Sequence, residues 1–493
     1  MVNVTNRADV AMRLVTFEFF LRHGSLPNMW LVRLGGGKDE AALGDFGENR
    51  KCAPFMLFKT QILFYFSDCA GMPGTTHLRT TFGLRPNCFS KPIEMRITEL
   101  VAQGGIAMNR RALMIAAAMV AAWTPGQQAS AQQPGVKIGL ILPLTGPQAS
   151  SGRQMLAGAR LYQAINGDMA AGKKIELVIR DDGGVADQTR RLAQELIVND
   201  KVAAIAGFGL TPLALAVGPI ITQAKVPAII MVAGTGMIVG TSPYFVRVSF
   251  TLPQQTMPIA QWASENGVKT AVSVVSDYGP GLDAQNAFKT RFEQAGGKVL
   301  EQLRAPLAAP EFAPFLQRAR DLKPDAVFLF VPTPQAGSLM KQVLDRGFAE
   351  AGIRVIGTGD ALDDEQLNAM GDGALGMITS YNYSAAHDSP ENKAFVAAFR
   401  KANPNLRPNV VGVSGYDGLH AFYKALEKTG GDTNGDRLMA GFKGLSWTSP
   451  RGPISIDPQT RDIVQNIYIR RVEKKDGELW HMEFATFPNQ KNP

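Results

Sequence analysis

The chain has 493 residues and a formal net charge of +8, with 45% hydrophobic and 19% charged residues. The charge is uneven: Lys and Arg outnumber Asp and Glu 14 to 9 up to Ala131, and only 37 to 34 beyond it. So mild a balance excludes a nucleic-acid surface in the later part. All three cysteines (Cys52, Cys69, Cys88) lie upstream, which excludes disulfides and zinc–thiolate sites there.

Residues 1–107 keep no period. LVRLGGGKDEAALGDFGENRKCAPF changes character every few residues, and Lys59 and Gln61 interrupt the apolar patch APFMLFKTQILFYFS. The segment reads as a fused regulatory domain or as upstream sequence translated from a wrongly chosen start codon; a non-native or disordered extension is the expectation. At Met108 the pattern changes to MNRRALMIAAAMVAAWTPGQQASAQQ, with two arginines, an apolar run and the triplet Ala129-Ser130-Ala131. The run is roughly 12 residues, short of the about 20 that span a bilayer. It is apolar on every face and Pro125 stops it, which suits neither a surface helix nor a packed one. Residues 108–131 therefore read as a signal peptide cleaved after Ala131, delivering a soluble product to the periplasm. Arg110-Arg111 leaves a twin-arginine route open beside the general secretory one.

From Val136 short β-branched runs alternate with longer amphipathic segments. VKIGLILPL predicts a strand, SGRQMLAGARLYQAIN a helix, KIELVIRDD a strand and DQTRRLAQELIVND a helix. VAAIAGF, the helix TPLALAVGPIITQA and the strand VPAIIMV follow. A second series starts near Pro253: PQQTMPIAQWASENG (helix), TAVSVVSD (strand), GLDAQNAFKTRFEQAGG (helix), DAVFLFV (strand) and QAGSLMKQVLDRGF (helix). IRVIGTG and GMITSYNY close it. Two such series predict an α/β protein with two doubly wound parallel-sheet lobes, whose ligands favour the carboxyl ends of the strands. The last stretch is rich in β-formers and carries Asp476-Gly477 as a hairpin signal, predicting a C-terminal strand pair.

Catalytic constellations are missing from this pattern. His387, His420 and His481 are not at metal-ligand spacing, so no metal is expected. Asp181-Asp182 and Asp363-Asp364 suit a strand end and a helix-start loop better than general acid–base work. No GxxxxGK[ST] loop occurs, VAGTGMIVG lacks full GxGxxG spacing, and no helix-turn-helix precedes the lobes. No cofactor and no nucleic-acid partner are expected. A secreted two-lobed binder, not an enzyme, is the expectation.

KIGLILPLTGPQASSGRQMLAGARLYQAIN, RDDGGVADQTRRLAQELIVNDKVAAIAGFG and VVSDYGPGL together resemble the branched-chain amino-acid binding proteins of ABC importers, which have the type I periplasmic binding fold. The resemblance runs from about Val136 to Phe487. It implies three hinge crossings, near Ser249–Pro253, Tyr381–Ser384 and Trp447–Pro453. Lobe 1 would then comprise 132–251 and 384–449, and lobe 2 would comprise 252–383 and 450–493. It further implies a monomer whose lobes shut around an amino acid or a related small carboxylate or amide. Its partners would be the permease and ATPase subunits of an importer. A sensory module signalling to a membrane kinase or chemoreceptor would share the fold.

Binding residues carry over by position. Thr211 falls where the family binds the ligand carboxylate near the start of the third helix, although it also suits a plain N-cap. Gly234 and Thr235 match the small residue and threonine after the fourth strand, Thr235 being either a ligand contact or a locally satisfied turn hydroxyl. Tyr278 in SDYGPGL matches an aromatic over the ligand, or a tyrosine packed at a strand end. Asp360 lies about one residue from the acid that takes an α-ammonium. Ser151 stands where many relatives have an aromatic before glycine. With the longer IIMVAGTG turn and the stiff Pro332-Thr333-Pro334 loop, these departures put a leucine-like ligand in doubt and leave aromatic or aliphatic acids and amides open.

Overall fold

The computed structural model describes residues 135–308 and 310–493, together with strand residues 57–58 and 61–62. The chain divides into two units, Met1–Ala122 and Trp123–Pro493. In the first, Leu57–Phe58 pairs antiparallel with Gln61–Ile62. The expected signal peptide and its cleavage point lie outside the described residues.

The second unit contains two sheets. The first is built from β1 (Val136–Leu142), β2 (Met169–Ala170), β3 (Lys173–Asp181), β4 (Ala204–Gly207), β5 (Ala228–Ile230) and β6 (Phe245–Arg247), in the order β2-β3-β1-β4-β5-β6. All pairings are parallel except the short β2 on β3. Central β1 is buried on both faces apart from half-buried Lys137, as a covered parallel strand must be. Helices α1 (Ala149–Asn166), α2 (Ala186–Val198) and α3 (Thr211–Ala224) fill the crossovers.

The second sheet carries β7 (Thr270–Ser276), β8 (Lys298–Ala305), β9 (Ala326–Phe330), β10 (Arg354–Thr358) and β11 (Ile378–Tyr381) in the order β8-β7-β9-β10-β11, all parallel. Its crossovers include α4 (Leu252–Glu265), which leads into β7, α5 (Gly279–Gln294), α6 (Ala313–Asp321), α7 (Ala336–Asp345) and α8 (Leu367–Met370). α4 begins with a capping box between Thr251 and Gln254.

The remaining elements return to the first sheet and come back. α9 (Pro390–Ala402), α10 (Val410–Lys428) and α11 (Gly435–Phe442) follow β11, and α10 lies against α1, with Tyr162 edge-on to Tyr416 and Tyr423 at 5.0 and 5.1 Å. Then β12 (Ser446–Ser449), β13 (Gly452–Ile456), β14 (Ile463–Lys475) and β15 (Glu478–Gln490) extend the second sheet antiparallel, β14 pairing with β11. The second sheet is therefore mixed, and only its first five strands meet the expectation of a parallel sheet. The expected strand pair is β14–β15, turned at Asp476 and Gly477, both at positive φ.

Buried polar side chains knot the passages between the sheets. Arg451 pairs with Asp417 of α10 at 3.0 Å and donates to the carbonyls of Val248 and Ser249. Gln465 donates to Ser249 and Gln254, and Asn382 bridges Gln255 and Gln465. The hairpin β12–β13 belongs to the second sheet, yet Trp447 and Ser449 both donate to Asp417, so the third passage is spread along it. Among the described residues no helix is long and apolar enough to cross a membrane.

Candidate functional site

The two sheets meet across a cleft floored by these passages. On the first side, Thr211 is the first residue of α3 and Thr235 follows β5; their hydroxyl oxygens are buried and 2.9 Å apart. The N-cap of α3 is Leu210 and no side chain caps that helix. The N-cap alternative for Thr211 is thus not realised: one position too late, its hydroxyl turns to Thr235 instead. Behind the pair, buried Arg247 donates to the carbonyls of Ala233, Phe250 and Thr235 and pairs with Asp462 at 2.5 Å. This brace fixes the loop that presents Thr235.

Gly234 serves closeness. Its carbonyl accepts from Leu252 N at 2.9 Å, and a Cβ there would stand 2.4 Å from Leu252 Cδ2. Its place is against Phe250 and Leu252, where the chain passes from the first sheet to α4. Ser151 is buried in the first turn of α1, and no hydrogen bond among the described residues joins it to Thr211 or Thr235.

On the second side, the Tyr278–Gly279 step reaches across. A Cβ at Gly279 would lie 2.7 Å from Thr235 Oγ1 and 3.6 Å from Thr211 Cγ2. Half-buried Tyr278 stacks on Phe330, with ring centroids 6.2 Å apart. Burial, reinforced by the charge of Asp360, pushes its hydroxyl well above the usual value. Asp360 is buried and accepts from Tyr381 (2.8 Å), Thr358 (3.1 Å) and Thr333 (3.4 Å). Desolvation pushes its carboxyl up to about 6, against the pull of those hydroxyls. Tyr381 also lies 5.8 Å from Phe250. Thr211, Thr235, Tyr278 and Asp360 therefore converge, while Gly234 packs against Leu252 and Phe250 and no hydrogen bond among the described residues ties Ser151 to them.

Sequence reasoning missed Thr333, Thr358 and Tyr381, the hydroxyls around Asp360, and Arg247, the brace. The Pro332-Thr333-Pro334 motif was a usable signal for the first; a lone arginine ending a strand signals nothing until its partners are placed. At the cleft margin, Gln154 of α1 donates to Glu365 at 3.0 Å and Asn409 donates to both oxygens of Asp363 at 3.1 Å. A cavity of about 330 Å³ opens there between Ser150 and Arg153 on one side and Pro334, Glu365 and Gln366 on the other. A larger depression of about 520 Å³, over Leu215, Pro219 and Thr222, adjoins none of the expected residues.

The acidic pairs act locally. Asp181 accepts from Leu144, Thr145 and Gly183, and Asp182 from Thr189 and Gly184, so they shape the loops beside β1 and α2. His481 is buried and held neutral, its imidazole well below the usual value because burial disfavours the cation. Among the described residues no group of three His, Cys, Asp or Glu side chains could hold a metal ion.

A family model for periplasmic binding proteins matches residues 135–478. The chain belongs to this family. It is 45% identical to Leu/Ile/Val-binding protein homolog 6 of Brucella abortus over 362 residues, 73% of this chain and 93% of that one. Among solved structures it is similar to a solute binding protein of an ABC transporter from Rhodopseudomonas palustris BisB5 in complex with 3,4-dihydroxybenzoic acid. Identity there is 57%, with a TM-score of 0.72 over 73% of this chain and 99% of that one. A second one, from R. palustris HaA2 in complex with p-hydroxybenzoic acid, is 41% identical with a TM-score of 0.71, covering 73% and 98%. This periplasmic binding protein is thus a solute-binding component of the ABC-transporter class with the type I fold. That class implies a small-molecule ligand, permease and ATPase partners, and a periplasmic location.

Proposed function

We propose that the cleft captures a small aromatic carboxylate bearing a ring hydroxyl, and that the protein, exported as a monomer after cleavage at Ala131, delivers it to an importer. The observation that carries this reading is the hydrogen-bond inventory of Asp360. A carboxylate has about four acceptor sites, and three hydroxyls already occupy Asp360. At most one site remains, which suits a single phenolic O–H better than an α-ammonium with its three donors. The rings of Tyr278, Phe330, Tyr381 and Phe250 add flat apolar walls around it. At the other end, the Thr211–Thr235 hydroxyls stand at a helix N-terminus, which favours a carboxylate. The Tyr278–Gly279 step spans both ends, and the hydroxybenzoates in the two R. palustris proteins carry both groups.

Mechanistically, ligand contacts to both lobes favour the shut form only through their differential affinity for it. Titration calorimetry of the exported protein with 4-hydroxybenzoate, 3,4-dihydroxybenzoate, benzoate and leucine tests the assignment. The hydroxybenzoates are expected to bind tightest, with benzoate about tenfold weaker for the lost hydrogen bond. Leucine binding more tightly than every aromatic acid would overturn it.

A further inference from the structure

The peptide that follows Thr235 is gripped from two sides. Gly236 N donates to Asp283 Oδ2 at 2.9 Å, and Gly236 O accepts from Asn492 Nδ2 at 3.2 Å. Gly236 lies between β5 and β6 of the first sheet, whereas Asp283 sits on α5, a crossover helix of the second. The hydrogen bond from Gly236 to Asp283 therefore joins the two sides of the cleft directly, one residue from a candidate ligand contact.

The surroundings hold both partners in place. Arg247 fixes the carbonyls of Ala233 and Thr235 from within the first lobe. Asn492 reaches Asp462 Oδ2 at 3.4 Å, Lys491 meets Asp457 at 2.8 Å, and Gln254 donates to Gln490 O at 2.6 Å, so the end of β15 and the residues after it are tied along the passages between the sheets. Asp283 is half-buried, and burial pushes its carboxyl above the usual value against the pull of the Gly236 N–H and of the Arg247 charge. A backbone N–H donated to a carboxylate is among the stronger neutral–ion contacts.

We propose that Asp283 is a closure latch, a positioning residue that pins the Thr235 loop to the second lobe once the cleft is shut. It rests on the hinged-cleft reading but not on the chemical class of the ligand. In an open cleft the carboxylate and the Gly236 N–H each turn to water, so the bond's free energy counts for the shut form alone. A contact of that kind slows opening and leaves encounter untouched. Ligand residence time is then set partly by a residue that does not touch ligand.

The test compares Asp283→Ala, Asp283→Asn and, as a control for the same charge change on the same helix, Glu293→Ala in the exported protein. Hydrogen exchange is followed in peptides covering residues 233–240 and 279–283 in the protein saturated with whichever of 4-hydroxybenzoate, 3,4-dihydroxybenzoate, benzoate or leucine binds. Asp283→Ala is expected to speed exchange at Gly236 about tenfold, Asp283→Asn, which keeps an acceptor oxygen, much less, and Glu293→Ala not at all. With 4-hydroxybenzoate in stopped flow, Asp283→Ala is expected to raise the dissociation rate about tenfold while association changes less than about twofold. Unchanged exchange in Asp283→Ala would overturn the latch, as would loss shared equally between the two rates with a fallen Tm. If the wild type ignores 4-hydroxybenzoate, the aromatic-acid reading fails by itself and the exchange measurement decides the latch.

Discussion

Thr211 Oγ1 and Thr235 Oγ1 form a buried hydrogen bond of 2.9 Å, joining the start of α3 to the loop after β5. One proton serves that bond, so the other hydroxyl hydrogen is free to reach an anion at the helix N-terminus. Removing either hydroxyl is expected to weaken carboxylate binding about tenfold, the magnitude of one hydrogen bond to a charged group. Because the two share a contact, Thr211→Ala/Thr235→Ala should lose less than the sum of the single changes. Calorimetry on the three variants checks this, and wild-type affinity in Thr235→Ala would remove the pair from the site.

Gly279 brings the second side close to the threonine pair. A methyl group there would stand 2.7 Å from Thr235 Oγ1, inside contact distance. Gly279→Ala is expected to hold the cleft ajar, weakening ligand binding at least tenfold while leaving the Tm of the ligand-free protein within about 2 °C, since α5 tolerates alanine. Small-angle scattering should show the ligand-free dimensions persisting after ligand is added. A variant that compacts like wild type would show that Thr235 simply swings aside.

These predictions draw on residues that sequence pattern reached unequally. Runs such as VKIGLIL and AVFLF announce buried strands by composition, and TPLALAVGPIITQA marks α3 at its observed ends, Thr211 and Ala224. No element is predicted for α9, α10 or α11, although VVGVSGYDGLHAFYKALEK is long and amphipathic. As candidate contacts, Thr211, Thr235, Tyr278 and Asp360 follow from motif order. Their supports do not: Tyr381 and Thr333 reach Asp360 across 21 and 27 residues of sequence, and Arg247 reaches Asp462 across 215. Such partners depend on how the strands stack, which no local period encodes.

Arg247 and Asp462 illustrate the cost of such a partnership. Both side chains are nearly inaccessible, and Arg247 also serves three loop carbonyls. Arg247→Met leaves Asp462 buried without its counter-charge and should destabilise the protein by about 3–5 kcal/mol. Arg247→Met/Asp462→Leu should recover part of that loss, because no lone charge remains, yet ligand affinity should stay low with the Thr235 loop unbraced. Urea unfolding and calorimetry on the same preparations separate the two effects. Equal destabilisation by the single and double changes would contradict the account.

Asp360 gives the pH dependence its sign. Its carboxyl is raised by desolvation to about 6, above the model-compound 3.8 expected in the unfolded chain. The native state therefore holds the proton more tightly. The group's stabilising contribution is complete below about 3.8 and is lost as pH rises through about 6, a change on the order of 3 kcal/mol. Asp360→Asn cannot titrate, so its stability relative to wild type should rise between pH 4.5 and pH 7. Buried Asp363 and Asp364 and half-buried Glu365, also raised by desolvation, titrate in both proteins and cancel in the difference. Urea midpoints at four pH values check the trend, and a difference constant with pH would refute it. Binding should move oppositely: the amide oxygen has two acceptor sites, for which the hydroxyls of Tyr381, Thr358 and Thr333 already compete, so 4-hydroxybenzoate should lose its advantage over benzoate.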